Sequence, residues 1–396
     1  MYNATPLFYK HLSDDRFINK LNITDEQDKM LLEARKKVRQ AIRNAFSEAR
    51  VYLKNETIHQ KDIDWISKLI PKFLTQGSYV YKTLNSPCSN SQEIDLDDGV
   101  YLPMSIIDSE PEANKDWFFA IVDGALKKLA EQEGWHFDGE KETCARIIIP
   151  GKQAHIDVPL YAIPDKRHSQ LVESLNYAKA NNKTLSSIYY SDAAVQAALY
   201  LLDKDEVNLA TREGGWRKSD PMEIYNWFKQ EISLRGQASG QRLRRVCRFL
   251  KAWRDYTWEN GGPSSLALMI CAVEAFPEDD KGRDDHALLT VVRELPSLLN
   301  KEVFNPAAKE KEVVYPRDDI SSVNVVLAAQ ALEIALNSAL SGSLDKTAAL
   351  AEFKNKFGNR MPNNTEWIES ISSASIVRST PAKNVKPEYI PNTKSG

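Results

Sequence analysis

Residues 92–101 of this 396-residue chain read QEIDLDDGVY. Apolar and acidic side chains alternate here, which predicts a β-strand from Glu93 to Leu102 with one buried face. Because successive side chains of a strand point to opposite faces, Asp95 and Asp97 lie together on the face away from the core. Their carboxylates, about 7 Å apart along the strand, can share a divalent cation. An isolated Asp-x-Asp is most often a solvated strand face or a turn, so its surroundings decide between these interpretations.

A third acidic side chain, Asp157, lies in the otherwise apolar run HIDVPLYAIP at 155–164, which predicts a second strand at Ala154–Ile163. An unpaired carboxylate is costly in such a setting. Asp157 therefore joins the first two carboxylates, if the strands are neighbours, or pairs with a residue such as Arg146 on the strand predicted at Cys144–Ile149. Three carboxylates holding two cations would activate an attacking hydroxyl and neutralise a leaving pyrophosphate.

Three further segments have the composition of anion sites. Gly77-Ser78 precedes the acidic strand, and glycine lets a backbone approach a phosphate while the Ser78 hydroxyl can donate to it. Residues 262–265 (GPSS) suit the start of a helix, where free amides favour anions, although an ordinary capped helix has the same pattern. The helix predicted at Gly240–Trp258 carries Lys251 beside two arginines, which is either a solvated basic face or a partner for a triphosphate.

The hydrophobic patterns predict an α+β fold in two parts. In the first half, strands alternate with helices, among them a long helix from Asp25 to Leu53, and predict a mixed sheet backed by helices. The second half is mainly helical. We therefore divide the chain into a core at 1–215 that includes the long N-terminal helix, a helical lobe at 216–371, and a flexible tail at 372–396 that is rich in Ser, Pro, Asn and Lys.

Composition narrows the possible functions. The net charge is -3, so we expect no general attraction to nucleic acid or to an anionic membrane. The four cysteines form no C-x-x-C pair and the six histidines no H-E-x-x-H motif, which argues against a zinc site and a disulfide framework. We find no secretion signal and no apolar stretch long enough to span a bilayer. These features predict a cytoplasmic protein with no membrane contact.

Several stretches of the chain resemble the cGAS/DncV-like nucleotidyltransferases, the CD-NTases. They are QGSYVYKTL at 76–84, QEIDLDDGVY at 92–101, HIDVPLYAIP at 155–164, CRFLKAWRD at 247–255, GGPSS at 261–265 and FGNR at 357–360. The resemblance implies a polymerase-beta-like nucleotidyltransferase core, a helical C-terminal lobe and an active site in the cleft between them. It also implies joining of two NTPs into a cyclic dinucleotide with release of pyrophosphate, with ATP and GTP as expected substrates and 3',3'-cGAMP as expected product.

Carried over by motif, Asp95, Asp97 and Asp157 are the expected catalytic ligands of two Mg²⁺ ions, or of Mn²⁺ in their place. The predicted nucleotide-binding residues are Gln76, Gly77, Ser78, Tyr81, Arg146, Ser219, Asp220, Lys251, Ser264 and Ser265. Arg146 is proposed from its position on a strand beside the acidic residues, and the resemblance supports the others. Of these, Tyr81 is expected to stack on a base. Arg146 has the alternative of pairing with Asp157, and the Ser219-Asp220 pair has the alternative of capping a helix.

Several alternatives stay open. The segment 305–319 does not clearly match the family, so c-di-AMP or a pyrimidine-containing product is an alternative, as are a linear template-independent nucleotidyltransferase and a nucleotide-binding regulator. A zinc-bound loop like that of the DNA-sensing animal relative has no counterpart, which predicts no nucleic-acid activator. In the anti-phage systems of this family the cyclic nucleotide reaches a downstream effector, and an E1/E2-like partner can conjugate a C-terminal glycine, which here is Gly396.

Overall fold

The fold is that of a computed structural model, which describes residues 1–10, 15–56, 69–106, 111–170, 172–173, 207–219, 221–308, 312–317 and 321–371. The strands in these residues are β1 (Tyr2–Asn3), β2 (Lys72–Gln76), β3 (Ile94–Pro103), β4 (His136–Asp138), β5 (Cys144–Ile149), β6 (Ala154–Ile163), β7 (Asn208–Thr211), β8 (Gly215–Lys218), β9 (Val303–Phe304), β10 (Val313–Tyr315) and β11 (Glu369–Ser370). The helices are α1 (Thr5–Phe8), α2 (Phe17–Lys20), α3 (Asp25–Glu56), α4 (Gly77–Tyr81), α5 (Pro111–Glu133), α6 (Pro221–Leu234), α7 (Gly236–Thr257), α8 (Ser265–Ala275), α9 (Asp284–Leu299), α10 (Ser321–Asn337) and α11 (Lys346–Phe357).

The main sheet contains β2 to β8, in the order β2-β3-β6-β5-β4, and β7 pairs with both β6 and β8. At its centre β3 and β6 run parallel, with β2 antiparallel to β3 and β5 antiparallel to β6. The sheet is therefore mixed, and the predicted α+β class is confirmed. The parallel pairing also answers the question left open by the sequence, because it makes the two strands with the acidic residues direct neighbours.

Helices α3 and α5 cover one face of this sheet. Ile94 and Leu96 of β3 lie in one buried apolar cluster with Phe46 of α3 and Phe118 of α5. Helix α3 starts with a capping box, in which the Gln27 amide nitrogen donates to the Thr24 hydroxyl and the Thr24 amide nitrogen donates to the Gln27 side chain. The long helix predicted at 25–53 is thus present and extends to residue 56.

The second apolar cluster is the core of the helical lobe, which is formed by α6 to α11. The first residues of the chain belong to it as well: the Phe8 ring lies 5.1 Å from Phe249 and 5.2 Å from Phe353. Strand β1 pairs with β11, which follows the last helix of the lobe. The packing departs from the predicted grouping of 1–215 at its start, because residues 4–8 and 17–21 bury apolar side chains among the lobe's helices rather than against the sheet.

One helical run of the lobe, Ser322–Gly342, is long and apolar enough by length and composition to cross a membrane. This corrects the expectation that the chain has no such stretch. The run buries Ala329, Leu332 and Leu336 in the lobe's core. A core helix of a globular lobe meets the same criteria, so the run alone does not indicate a membrane.

Candidate active site

The three acidic side chains singled out in the sequence lie on one face of the central strands. In β3, Ile94 and Leu96 are buried on the side of α3 and α5, while Asp95 and Asp97 alternate with them and are less buried. The parallel register places Asp97 beside Asp157 of β6. Because neighbouring strands are about 4.8 Å apart, this register brings the carboxylates close together.

The next residue, Asp98, has a different environment. It is 1% exposed and receives hydrogen bonds from Arg39 Nε at 2.7 Å, Arg39 Nη2 at 2.5 Å and the Thr75 hydroxyl at 2.9 Å. Strand alternation turns Asp98 away from Asp97 and towards α3. The charge of Asp98 is therefore paired with Arg39, and Asp98 does not join the acidic trio of Asp95, Asp97 and Asp157.

Arg146 of β5 is the partner of Asp157. Its Nε and Nη2 atoms donate to the two carboxylate oxygens at 2.5 Å and 2.7 Å. Burial lowers the pKa of Arg146, but the hydrogen bonds and charge of Asp157 outweigh it and hold the pKa above its usual value. The ion pair considered from the sequence is thus present, and it fixes the orientation of Asp157.

His155 and Glu93 extend the acidic cluster. His155 Nδ1 lies 2.8 Å from Glu93 Oε2, and His155 Nε2 lies 3.1 Å from Asp95 Oδ1. Among the described residues, Asp95, His155 and Asp157 bring one potential metal-ligating atom each within 4.8 Å of one another. Neither His155 nor Glu93 was among the predicted site residues. The sequence signal for His155 is its position two residues before Asp157, which puts both on one strand face.

The pKa values of the carboxylates diverge. Burial and the charges of Asp95 and Asp157 raise the pKa of Asp97 well above its usual value. Burial also acts to raise the pKa of Asp95, but the contact with His155 and the charges of Lys251 and Arg146 overcome it, and this pKa is lowered. Burial first, and then the neighbouring acidic charges, therefore disfavour the ionised form of Asp97. A bound divalent cation would relieve this repulsion.

Helix α4 begins directly against Asp97. Gly77 has a φ of +67°, and a Cβ atom added to it would lie 1.9 Å from Asp97 Oδ2. Only glycine permits this approach of the backbone to a carboxylate. The Ser78 hydroxyl is buried and has no hydrogen-bond partner within the part of the chain that the structure describes. Backbone and hydroxyl together therefore offer hydrogen-bond donors at the edge of the acidic trio.

A cavity of 320 Å³ opens beside Asp95 and His155, between the sheet and the helical lobe. Lys251 of α7 and Ser265 of α8 line it from the lobe side. Burial lowers the pKa of Lys251, although the charges of Asp255, Asp95 and Asp97 oppose that shift. The cleft thus places a cationic side chain opposite the carboxylates.

Ser264 has a structural role in the fold. Its hydroxyl accepts a hydrogen bond from the Ala267 amide at 3.1 Å and caps α8. Gln76 is also engaged within the protein, because its Nε2 donates to the Tyr161 hydroxyl at 2.9 Å and its Oε1 accepts from the Tyr101 hydroxyl at 3.0 Å. The side chains of these two predicted nucleotide-binding residues are therefore held by the protein.

The remaining predicted site residues lie at separate places along the chain. The Tyr81 ring stacks on Tyr225 of α6 with centroids 6.4 Å apart. Ser219 follows β8, and its amide donates to the Val207 carbonyl at 3.1 Å. Asp220 and Gly396 lie outside the described residues.

A mixed sheet with acidic residues on its central strands, closed by a helical lobe, is the architecture of a nucleotidyltransferase. Two family models match this chain. Residues 71–161 match the cyclic GMP-AMP synthase DncV-like nucleotidyltransferase domain, and residues 240–370 match the cyclic GMP-AMP synthase C-terminal domain. The chain belongs to the family of DncV-like cyclic GMP-AMP synthases.

Curated relatives and solved structures agree with this assignment. The cyclic GMP-AMP synthases of Vibrio cholerae serotype O1 and Escherichia coli strain TW11681 are 32% and 31% identical, each over 96% of this chain and 96% of the relative. Vibrio cholerae DncV in complex with the linear intermediate 5' pppA(3',5')pG superposes with a TM-score of 0.77 at 30% identity, over 94% of this chain and 99% of that one. A variant of DncV in complex with ATP, GTP and 5MTHFGLU2 gives a TM-score of 0.75 at 30% identity, over 94% and 100% of the two chains. The resemblance seen in the sequence is thereby confirmed.

Proposed function

We propose that this nucleotidyltransferase is a Mg²⁺-dependent synthase that joins ATP and GTP into 3',3'-cGAMP. In each of the two linkages a 3' hydroxyl oxygen would attack an α-phosphorus, the bond to pyrophosphate would break, and the hydroxyl would lose its proton. The observation that carries the proposal is the position of Asp95, Asp97 and Asp157 on neighbouring strands, with Gly77 directly against Asp97. The family assignment and the nucleotide complexes of DncV support the choice of substrates.

The residues present fit a divalent cation. Carboxylates are the oxygen ligands that Mg²⁺ prefers. Asp95, His155 and Asp157 bring one potential metal-ligating atom each within 4.8 Å of one another, and the pKa of Asp97 is raised by burial and by neighbouring acidic charges. Asp95, Asp97 and Asp157 would hold Mg²⁺, or Mn²⁺ in its place. When bound, the metal supplies charge neutralisation on the triphosphate and acidifies the attacking hydroxyl.

The chain's own groups would orient the donor triphosphate. The Gly77 amide and Ser78 hydroxyl are donors at the carboxylate edge, and Lys251 with Ser265 supplies charge and a hydrogen bond from across the cleft. Arg146 would act through Asp157, which it holds by two hydrogen bonds. The stack of Tyr81 on Tyr225 provides an aromatic surface on which a base can lie.

The test is incubation of the purified protein with Mg²⁺ and an equal mixture of labelled NTPs, followed by phosphatase treatment and mass spectrometry. We expect a phosphatase-resistant product that contains one adenine and one guanine. Asp95→Ala and Asp97→Ala should each abolish it, whereas Asp116→Asn, which neutralises an acid with 74% side-chain exposure on α5, should leave it unchanged. A ladder of linear products would indicate the polymerising alternative, and robust product from the Asp95→Ala, Asp97→Ala double variant would refute the metal assignment.

We also propose that the product serves as a second messenger to an effector in anti-phage defence in the cytoplasm, and that an E1/E2-like partner conjugates Gly396. The support is the family assignment. Deletion of Gly396 in cells that carry such a partner should remove higher-mass adducts of the protein. Adducts that persist after the deletion would contradict the conjugation site.

A further inference from the structure

We propose that residues 85–92, here called the strap, tie the helical lobe to the sheet, and that Gln92 and Arg360 position Lys251 opposite Asp95 by holding this strap. The inference rests on the proposed triphosphate site, because Lys251 matters to the reaction only there. The strap precedes β3 and forms one wall of the cavity that Asp95 and Lys251 share.

The strap begins with a reciprocal pair of hydrogen bonds to α7. The Asn85 amide nitrogen donates to the Arg248 carbonyl at 2.9 Å, and Arg248 Nε donates to the Asn85 side-chain oxygen at 2.9 Å. Asn85 is 5% exposed. Both ends of its side-chain amide are therefore occupied by one residue of the helical lobe, in a setting where a lost partner is costly.

Two further residues continue this attachment along the same helix. Arg360 follows α11 and bridges the two sides, donating to the Ser86 carbonyl at 3.3 Å and to the Ala252 carbonyl at 2.8 Å. At the other end of the strap, Gln92 Nε2 donates to the Asp255 carbonyl at 2.6 Å and to the Trp258 carbonyl at 3.3 Å. The contacts thus fall on carbonyls of α7 and of the residue that caps its end.

The spacing of these carbonyls explains why the strap follows the helix. Positions 248, 252 and 255 are separated by four and three residues, which places them on one stripe of α7, and Trp258 follows directly after the helix end. Lys251 adjoins that stripe and points into the cavity that the strap lines. The strap therefore runs beside the lysine for about 15 Å of helix.

The other end of the strap is fixed to the sheet. Gln92 Oε1 accepts from the Cys88 amide at 3.0 Å, and Gln153 Nε2 donates to the Ser89 carbonyl at 2.9 Å. The Ile94 amide donates to the Gln153 carbonyl at 2.7 Å, and Asp95 follows Ile94 in β3. Gln92, three residues before Asp95, thus holds the strap to the Asp255 carbonyl, which lies four residues after Lys251. The separation of the cation from the carboxylate depends on this short connection.

The test compares binding of two probes by calorimetry: a non-hydrolysable α,β-methylene ATP with Mg²⁺, and AMP. Gln92→Met keeps the length of the side chain but removes its hydrogen bonds to the helical lobe. We expect about tenfold weaker binding of the triphosphate, the size of a partly lost charge-assisted contact, and unchanged binding of AMP. Arg360→Lys, which keeps the charge but replaces the two guanidinium nitrogens that reach the Ser86 and Ala252 carbonyls with a single nitrogen, should act in the same direction. Asn337→Ala removes the hydrogen bond from Arg293 inside the helical lobe and should change neither affinity.

Combining Gln92→Met with Lys251→Ala distinguishes an effect on the position of Lys251 from a general loss of stability. In a Lys251→Ala background, Gln92→Met should cause no further loss of triphosphate affinity, because the group that it positions is absent. Equal losses in both backgrounds, or equal losses for AMP and the triphosphate, would overturn the inference while leaving the triphosphate site intact. If Lys251→Ala itself left triphosphate affinity unchanged, the proposed site would fail instead.

Discussion

Replacement of Gly77 by alanine tests whether the close approach of α4 to Asp97 is required for the chemistry. Two effects are expected. A non-glycine residue at a φ of +67° costs about 1–2 kcal/mol of folding free energy. In addition, the new Cβ atom would lie 1.9 Å from Asp97 Oδ2, so the carboxylate must move by about 1.5 Å to reach an ordinary 3.4 Å contact.

The size of the kinetic effect follows from that displacement. A shift of about 1 Å in an active-site group can reduce a rate by about 10²-fold. We therefore expect Gly77→Ala to lower the rate of Mg²⁺-dependent pyrophosphate release at least about 10²-fold. The loss should persist at saturating NTP, because the change affects the geometry of the carboxylates and not only the affinity for the nucleotide.

The matched control is Gly134→Ala. Gly134 follows α5 with a φ of +68°, and a Cβ atom there would have no neighbour within 4 Å among the described residues. Both variants should lose similar stability in urea unfolding, but only Gly77→Ala should lose activity. If Gly77→Ala kept a rate within about twofold of the Gly134→Ala control, a difference of only about 0.4 kcal/mol in activation free energy, the proposed contact with Asp97 would be refuted.

Three other predictions follow from named contacts. Arg146→Lys keeps a cation but loses the two parallel hydrogen bonds to Asp157, so the Mg²⁺ concentration that gives half-maximal activity should rise about 10–100-fold. An unchanged concentration would show that the ion pair does not orient the carboxylate. Burial lowers the pKa of His168 from 6.5 to about 4. As the pH falls, His168 therefore binds a proton in the unfolded chain before it does so in the folded protein. About 3 kcal/mol of unfolding free energy should be lost between pH 6.5 and pH 4. His168→Gln should remove this part of the slope in urea unfolding at several pH values, and a slope equal to that of the parent protein would contradict it. Phe8→Ala should cost about 3–5 kcal/mol of unfolding free energy, because Phe8 is fully buried against Phe17 of α2 and three phenylalanines of the helical lobe. A loss below about 1 kcal/mol would show that the N-terminal segment is not part of that core.

Local patterns predicted most of the elements around the site. Strand β5 and strand β6 have the predicted ends, because each is an apolar run of strand length bounded by turn residues. Alternation in β3 separated Asp95 and Asp97 from the buried positions. Strand β2 and the hairpin of β7 with β8 were missed, since a strand of four or five residues carries too little periodicity to be recognised and is stabilised by its neighbours in the sheet.

The sequence by itself determined which residues carry charge and which face of each strand they occupy, because side-chain alternation along a strand is a local property. It could not determine which strands are neighbours, nor in which register, since those depend on contacts between residues far apart in the chain. The tertiary structure decided that Asp97 lies beside Asp157, that Arg146 is held by Asp157, and that residues 4–8 and 17–21 pack in the helical lobe. The approach of Gly77 to Asp97 also depends on tertiary structure, because it exists only after β2 and β3 have paired.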